Sequence, residues 1–174
     1  MKKKVFMLVL CMIFLYSFVA LASEDDFLWE QYTDINHDSE LLPSGVKNSY
    51  ATNQTGMRGE AIAFASVSIT NMGNGYVQIV ASTTAHTYCD RIRMRVYLDK
   101  YNSSKDVWEN IKSFTYDMKS EDAGGELYML NEEETVKVQK GYYYRVRGVH
   151  TVYQDGENEG FSTYSDGVLA EDTN

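Results

Sequence analysis

Five arginines lie in two short segments in which charged and apolar residues alternate. Residues 91–95 read RIRMR and are followed by Tyr97, and residues 143–147 read YYRVR. A guanidinium group pairs well with phosphate or carboxylate, and a tyrosine ring can stack on a sugar. The pattern therefore predicts binding of an anionic or glycan polymer, such as one of the cell envelope. The candidate binding residues are Arg91, Arg93, Arg95, Tyr97, Tyr143, Arg145 and Arg147.

The same arginines also fit a structural role. Guanidinium groups that lie across a sheet can pair with Asp and Glu on adjacent strands, and each exposed pair contributes about 0 to 1 kcal/mol. The chain has 25 acidic residues and 16 basic ones, so partners are plentiful. Cross-strand ion pairs are the favoured interpretation, and polymer binding is the competing one.

Histidine and cysteine spacings give little support to catalysis. His37, His86 and His150 show no zinc-binding spacing. His86 and Cys89 are three residues apart, which on a strand places them on opposite faces. We expect His150 to be a partly buried structural histidine and Cys89 a small, partly buried apolar residue. We therefore predict that the protein is not an enzyme and has no cofactor.

Residues 34–40 (DINHDSE) begin like a calcium-binding loop, with oxygen ligands at the first, third and fifth positions. Ser39 then replaces the turn glycine, and Gly45 stands where a bidentate carboxylate is required. We predict no metal site and interpret the segment as a cap or a solvated loop.

Strand alternation must position the arginines. If Arg91, Arg93 and Arg95 face outward, then Ile92, Met94, Val96 and Leu98 face the interior. In the same way Tyr144 and Val146 face inward beneath Arg145 and Arg147. After Gly148 the apolar residues change parity, which predicts a bulge there.

Short β-branched and aromatic runs separated by Gly, Asn, Asp and Ser continue over most of the chain. Ile62 and Phe64 share one parity and Val67 and Ile69 the other, which predicts a bulge near Ala65. Residues 71–75 (NMGNG) predict a turn, and the run from Val107 to Phe114 predicts an edge strand. About seven strands and no helical periodicity indicate an all-β, two-sheet antiparallel β-sandwich of the immunoglobulin or fibronectin III type.

The N-terminus has the features of an export signal. Lys2, Lys3 and Lys4 precede an apolar run that ends at Ala20-Leu21-Ala22, the small-x-small pattern of a cleavage site. We predict a signal peptide at 1–22, an acidic and loosely ordered lead-in at 23–56, a sandwich at 57–170 and a tail at 171–174. The protein is then secreted, with no membrane attachment after cleavage.

Removing residues 1–22 leaves 13 basic and 25 acidic residues, so the formal charge changes from −9 to −12. Such an acidic chain is unsuited to nucleic acid, and we predict no nucleic-acid partner. Cys89 is then the only cysteine, which rules out an internal disulfide in the mature chain.

The pattern Val138-x-x-Gly141-x-x-Tyr144-x-Val146 resembles the corner that leads into the sixth strand of fibronectin type III and other immunoglobulin-like domains. The resemblance implies that the buried Tyr144 hydroxyl bonds back to the upstream backbone. It gives Tyr144, Gly141 and Val146 structural roles. The tryptophan usual in the second strand is missing.

From about Gly75 to Val168 the chain is similar to a family of small, uncharacterised secreted bacterial proteins. Residues 81–84, 96–98, 141–150 (GYYYRVRGVH) and 165–168 carry the similarity. It implies export and an all-β domain, and it assigns no functional residue.

The leading functional hypothesis is a secreted, non-catalytic binding module that uses the arginine and tyrosine face. A self-associating structural protein is one alternative, with that face or residues 27–32 packing against another copy. A small hydrolase that uses His150 or Cys89 is the other.

Overall fold

The computed structural model describes residues 32–52 and 60–172. The predicted signal peptide lies outside the described residues, as does the start of the predicted lead-in. In chain order the described strands are β1 (Asn48–Thr52), β2 (Ile62–Gly73), β3 (Tyr76–Ala85), β4 (Arg91–Asn102), β5 (Val107–Lys119), β6 (Met129–Lys137), β7 (Tyr143–Gln154), β8 (Glu157–Tyr164) and β9 (Val168–Leu169). A 3-10 helix, Ser120–Ala123, follows β5.

The strands form two antiparallel sheets that pack as a sandwich. The first sheet has the order β1-β2-β3-β6, and the second has the order β5-β4-β7-β8, with β9 also pairing with β7. The prediction of an all-β, two-sheet sandwich is confirmed. As expected for an immunoglobulin-like arrangement, β4 lies beside β7, and β8 lies on the other side of β7. The structure has nine described strands, whereas about seven were predicted. One addition is β1, which lies in the predicted lead-in, and another is β9, which has only two residues.

The sandwich core contains the apolar residues that alternation placed inside. Ile92, Met94, Val96 and Leu98 of β4 are all buried. They pack with inward residues of both sheets, including Val67 and Ile79 of the first sheet. The prediction for β4 is therefore confirmed along the whole strand.

Two predicted irregularities have different outcomes. The register shifts between Ile62 and Phe64, close to the expected bulge near Ala65, and it leaves Phe64 exposed. The predicted bulge after Gly148 is wrong, because β7 keeps an unbroken register with β4 and β8. Gly148 faces inward, where an added Cβ would lie 2.7 Å from Val67 Cγ1. Glycine there provides space for the opposite sheet.

The segment before the predicted sandwich boundary at residue 57 takes part in the fold. Residues 48–52 form β1, which pairs with β2 over five residues. At the other end, the Glu171 carbonyl accepts a hydrogen bond from Asn71 Nδ2 (2.9 Å). Residues 48–52 and 171 therefore extend the sandwich beyond the predicted limits of 57 and 170.

Candidate functional site

All seven predicted binding residues lie on the outward side of the second sheet. Register pairs Tyr97 of β4 with Arg147 of β7, and Arg91 with Tyr153 further along. Tyr143 pairs with Leu169 near the opposite end of the face. The structure therefore brings the five arginines onto one face and spreads the set along the strands.

Asp99 of β4 joins the two arginines of β7. Its Oδ2 accepts hydrogen bonds from Arg147 Nε (2.6 Å) and Arg145 Nε (3.3 Å), and Oδ1 accepts one from Arg147 Nη2 (3.3 Å). The side chains of Asp99 and Arg145 are 0% exposed, and that of Arg147 is 4% exposed. Two buried cations thus share one carboxylate, which we call the Asp99 cluster.

Residues 33–45 run along the outside of the Asp99 cluster, and we call them the strap. Arg145 Nη2 donates to the Ile35 carbonyl (2.6 Å), and Nη1 donates to the His37 carbonyl and to Ser39 Oγ. Arg147 Nη1 donates to Thr33 Oγ1. Oxygen atoms of the strap therefore solvate the cationic charge that Asp99 does not balance. Burial lowers the pKa of Arg145, and Asp99 opposes that effect.

Backbone and side-chain contacts hold the strap along its length. The Leu42 amide donates to the Gly167 carbonyl (2.9 Å), and the Gly167 amide donates to the Glu40 carbonyl (2.7 Å). The His37 ring stacks on Tyr164, with ring centroids 3.9 Å apart. Residues 34–40, which begin like a calcium loop, thus surround a guanidinium group. The oxygen-rich segment does bind a cation, but the cation is an arginine of the same chain.

Glu171 fixes the C-terminal end of the strap. Its carboxylate accepts hydrogen bonds from Ser44 Oγ (2.7 Å) and the Gly45 amide (2.6 Å). The hydrogen bond from Ser44 is the main reason that the pKa of Glu171 is lowered. Glu171 therefore anchors the strap at Ser44 and Gly45.

Aromatic rings complete the surroundings of the two buried arginines. The Arg145 guanidinium lies 4.4 Å from the Trp108 ring centroid, and the Arg147 guanidinium lies 4.4 Å from the Tyr97 centroid. Trp108 comes from edge strand β5, which pairs with β4. Cation–π contacts of this kind are strongest where water is excluded.

The other end of the face has a second ion-pair group centred on Asp117 of β5. Arg91 Nε donates to Asp117 Oδ1 (2.6 Å), and Arg93 Nε lies 3.3 Å from Oδ2. The hydrogen bond from Arg91 is the largest cause of the lowered pKa of Asp117. The Arg91 side chain is 29% exposed, whereas Arg93 is buried. Arg95 is half-buried, with its guanidinium 5.5 Å from the Tyr97 ring centroid.

These positions correct part of the predicted contact set. Arg93, Arg145 and Arg147 are buried, so in this conformation they do not present their guanidinium groups to an external polymer. The cross-strand ion pairs of the favoured structural interpretation are present for Arg91, Arg93, Arg145 and Arg147. The predicted contact residues that retain some exposure are Arg91, Arg95, Tyr97 and Tyr143.

Tyr144, Gly141 and Val146 lie at the start of β7. The buried Tyr144 hydroxyl donates to the Gln139 carbonyl (3.0 Å) and accepts from the Gln139 amide (3.1 Å). Gly141 has a φ of 83°, and its amide donates to the Ala170 carbonyl. Val146 is buried in the core. The Tyr144 hydroxyl thus pins the segment that enters β7.

His150 and Cys89, the residues considered for catalysis, are both buried. The two ring nitrogens of His150 lie 2.8 Å from Thr83 Oγ1 and Thr163 Oγ1. Burial lowers the pKa of His150 to about 3, so the ring is neutral at ordinary pH. Cys89 Sγ donates to the Leu127 carbonyl (3.4 Å), and burial raises the pKa of the thiol. In residues 32–52 and 60–172, no three His, Cys, Asp or Glu side chains are grouped to hold a metal ion.

Sequence reasoning missed Asp99, Trp108 and the strap. Asp99 continues the parity of Arg91 to Tyr97, so alternation alone places it outward beside the arginines. The strap has no comparable signal, because its contacts to Arg145 come largely from backbone carbonyls, which every residue possesses.

Comparison with known families places the chain among related sequences. Residues 43–167 match the sequence model of DUF6147, a family of unknown function. The chain belongs to that family. The DUF6147 match includes β1 through β8 and the Asp99 cluster, whereas the strap residues before Pro43 lie outside it. No curated protein matches the chain. The described ranges contain no helix with the length and hydropathy of a bilayer span.

Proposed function

We propose that this DUF6147 protein is a secreted, non-catalytic interaction module that meets an anionic polymer at the exposed end of its arginine face. One observation carries the proposal. The outward positions of β4, β5, β7 and β8 have six cationic side chains and two carboxylates, although the whole chain has a net charge of −9. The cations are Arg91, Arg93, Arg95, Lys119, Arg145 and Arg147, and the carboxylates are Asp99 and Asp117.

The buried and exposed arginines have different parts in the proposal. Arg145 and Arg147 contribute positive potential from behind the surface, and the Asp99 cluster holds them in place. Arg91 and Arg95 are the groups positioned to contact phosphate or carboxylate directly, with Tyr97 beside Arg95. Clustered charge of one sign attracts an oppositely charged polymer, and the attraction weakens as salt screens it.

Export is part of the same proposal. It is supported by Lys2 to Lys4, the apolar run after them and the Ala20-Leu21-Ala22 site. Similarity of residues 141–150 to small secreted bacterial proteins supports it too. We expect N-terminal sequencing of the exported protein to begin at Ser23.

Tyr144 is proposed to play the part of the corner tyrosine of fibronectin type III domains. The support is its pair of hydrogen bonds with the Gln139 backbone, five residues upstream. In that role Tyr144 stabilises the crossover between sheets and takes no part in ligand contact.

The decisive experiment is binding to immobilised polygalacturonate and polyphosphate at increasing salt. Replacing Arg91 and Arg95 with Glu should lower the affinity roughly tenfold or more, about 1.4 kcal/mol. The matched control is Lys105→Glu with Lys140→Glu, which makes the same change in net charge at two exposed lysines that are also ion-paired. If both double variants lose the same affinity, net charge alone explains the binding, and the proposal of a localised site is contradicted.

Arg93 and Arg145 are unsuitable for that experiment, although they belong to the same face. Both are buried, so a glutamate there would test folding instead of binding. Oligomers that persist at high salt and bind neither polymer would favour the self-associating alternative.

A further inference from the structure

The outward face of the first sheet differs in character from the arginine face. Register aligns its outward side chains in rungs, such as Asn48, Thr70, Gln78 and Thr135 across β1, β2, β3 and β6. Neighbouring strands lie about 4.8 Å apart, and successive outward residues of one strand lie roughly 6.8 Å apart. Most of these outward positions carry hydroxyl or amide groups, with Val80 and Glu133 as exceptions in the rung of Ser68, and we call this surface the hydroxyl face.

The hydroxyl face is almost uncharged. Among the outward residues of these four strands, the side chains charged at neutral pH are those of Glu133 and Lys137. Glu133 accepts a hydrogen bond from Gln78 Nε2 (2.6 Å). Sheet surfaces usually have long charged side chains that keep them soluble and separate. A neutral face on a chain with net charge −9 therefore suits a neutral ligand better than a charged one.

Exposed aromatic rings border the hydroxyl lattice. Tyr50 of β1 lies in the rung of Ser68 and is 58% exposed, and Tyr76 at the start of β3 is 41% exposed. Phe64 is also exposed, beside Thr84 at the other end of the face. Tyrosine supplies a large, rigid, amphipathic contact at low entropic cost, and Ser or Asn supplies adaptable hydrogen bonds.

The shape of the face selects among ligands with this chemistry. From Tyr76 to Thr84 the outward positions of β3 extend roughly 27 Å along the strand, far longer than one sugar ring. A ligand that covers it must be extended, rich in hydroxyl groups and uncharged. Pyranose chains with β linkages meet all three conditions, because they form flat ribbons with apolar CH faces and hydroxyl edges.

We propose that the hydroxyl face binds a neutral β-linked polysaccharide. Tyr50 and Tyr76 stack on sugar rings, and polar side chains of the same face exchange hydrogen bonds with sugar hydroxyls. Those side chains include Ser68, Thr70, Gln78, Ser82 and Thr84. The site is separate from the arginine face, so this binding is insensitive to salt and does not depend on the function proposed above.

The test measures retention of the full exported protein on amorphous cellulose and on chitin particles. Tyr50→Ser with Ser68→Lys removes a ring and puts a long cation into the same rung, and we expect retention to fall at least about tenfold. The matched control is Tyr88→Ser with Ser104→Lys, which makes the same replacements off the face. Tyr88 is 57% exposed, and Ser104 lies exposed in the turn between β4 and β5. Unchanged thermal unfolding of both variants excludes a folding defect.

Four outcomes overturn this inference. The first is a wild-type protein that neither particle retains, and the second is equal retention of the face variant and its control. The third is a dimer that the face variant dissociates, because a second copy would then occupy the face. Retention that disappears at high salt, or in the Arg91 and Arg95 double variant, would assign binding to the arginine face and also contradict the inference. Loss of anionic-polymer binding alone leaves the hydroxyl face unaffected.

Discussion

At the scale of single residues, Asp99 determines how this protein uses its arginines. One fully buried carboxylate accepts hydrogen bonds from both Arg145 and Arg147. Breaking a buried pair by removing one partner is costly, because the remaining charge has neither water nor a counterion. The cluster therefore makes two of the predicted contact residues into parts of the folded framework.

Replacing Asp99 with Asn should lower the free energy of unfolding by about 3 to 5 kcal/mol. The matched control is Asp172→Asn, whose side chain is 63% exposed in its pair with the exposed Lys140 and whose loss should cost about 1 kcal/mol or less. Urea denaturation of both variants measures the difference. Similar losses in the two variants would mean that burial does not set the energetic importance of the Asp99 cluster.

The buried His150 predicts a dependence of stability on pH. Its pKa is near 3 in the folded chain and about 6.5 when unfolded, so below about pH 6.5 only the unfolded state gains the proton. Its contribution is complete above pH 6.5 and falls by about 1.4 kcal/mol per pH unit until about pH 3. Stability of His150→Gln should have a shallower slope between pH 6.5 and 4 than wild type.

At the scale of elements, β7 lies inside the second sheet, and both of its sides are packed against other parts of the chain. Its outward side holds Arg145 and Arg147 beneath the strap, and its inward side packs on the first sheet. Gly148 has no room for a side chain, because an added Cβ would lie within 3 Å of Val67 on the opposite sheet and of His150 and Thr163 on its own sheet. Close packing at this position is thus a requirement of the fold.

Gly148→Ala should therefore destabilise the protein by about 1 to 3 kcal/mol through overpacking. Gly160→Ala on β8 is the comparison, since the three atoms nearest its new Cβ belong to the Tyr32 ring, at 2.9 to 3.2 Å, and a ring beside the sheet can move aside. Thermal unfolding should show a clear fall in Tm for the first variant and a small one for the second. Equal values would contradict the close approach of the sheets at Gly148.

At the scale of the whole molecule, the sandwich separates two chemically different surfaces. Stacked sheets lie about 10 Å apart, so the arginine face and the hydroxyl face point in opposite directions. Between them lies an apolar core containing Cys89, the only cysteine in the described residues. Packing, ion pairs and hydrogen bonds hold the described fold together.

The burial of Cys89 predicts its reactivity. In the native exported protein a thiol reagent such as Ellman's reagent should react very slowly, because burial hides the sulfur and raises the pKa of the thiol. In urea the same titration should find one thiol per chain, because the cleavage proposed after Ala22 would remove Cys11. Two thiols in urea would show that Cys11 is retained, and fast reaction without urea would contradict the buried position of Cys89.

Much of the fold follows from local pattern. Alternation in residues 91–98 correctly placed Met94 and its neighbours inside, because the period of a strand depends only on backbone geometry. The bulge predicted after Gly148 was wrong for a related reason. Val149 and Thr151 lie on the outward side of β7 and are nevertheless buried. The apolar residues therefore changed sides because the outward side is also covered there, and the strand itself is unbroken.

By itself the sequence determined the two-sheet class, the inward and outward sets of β4 and β7, and the gathering of five arginines on one face. Only the tertiary structure decided which of those arginines meet solvent. The exposure of a side chain depends on what covers it, and here the strap covers Arg145. The strap carbonyls that accept hydrogen bonds from Arg145 are more than a hundred residues away from it in sequence. Strand period is a local property of the chain, whereas burial and charge pairing depend on which distant segments the fold brings together.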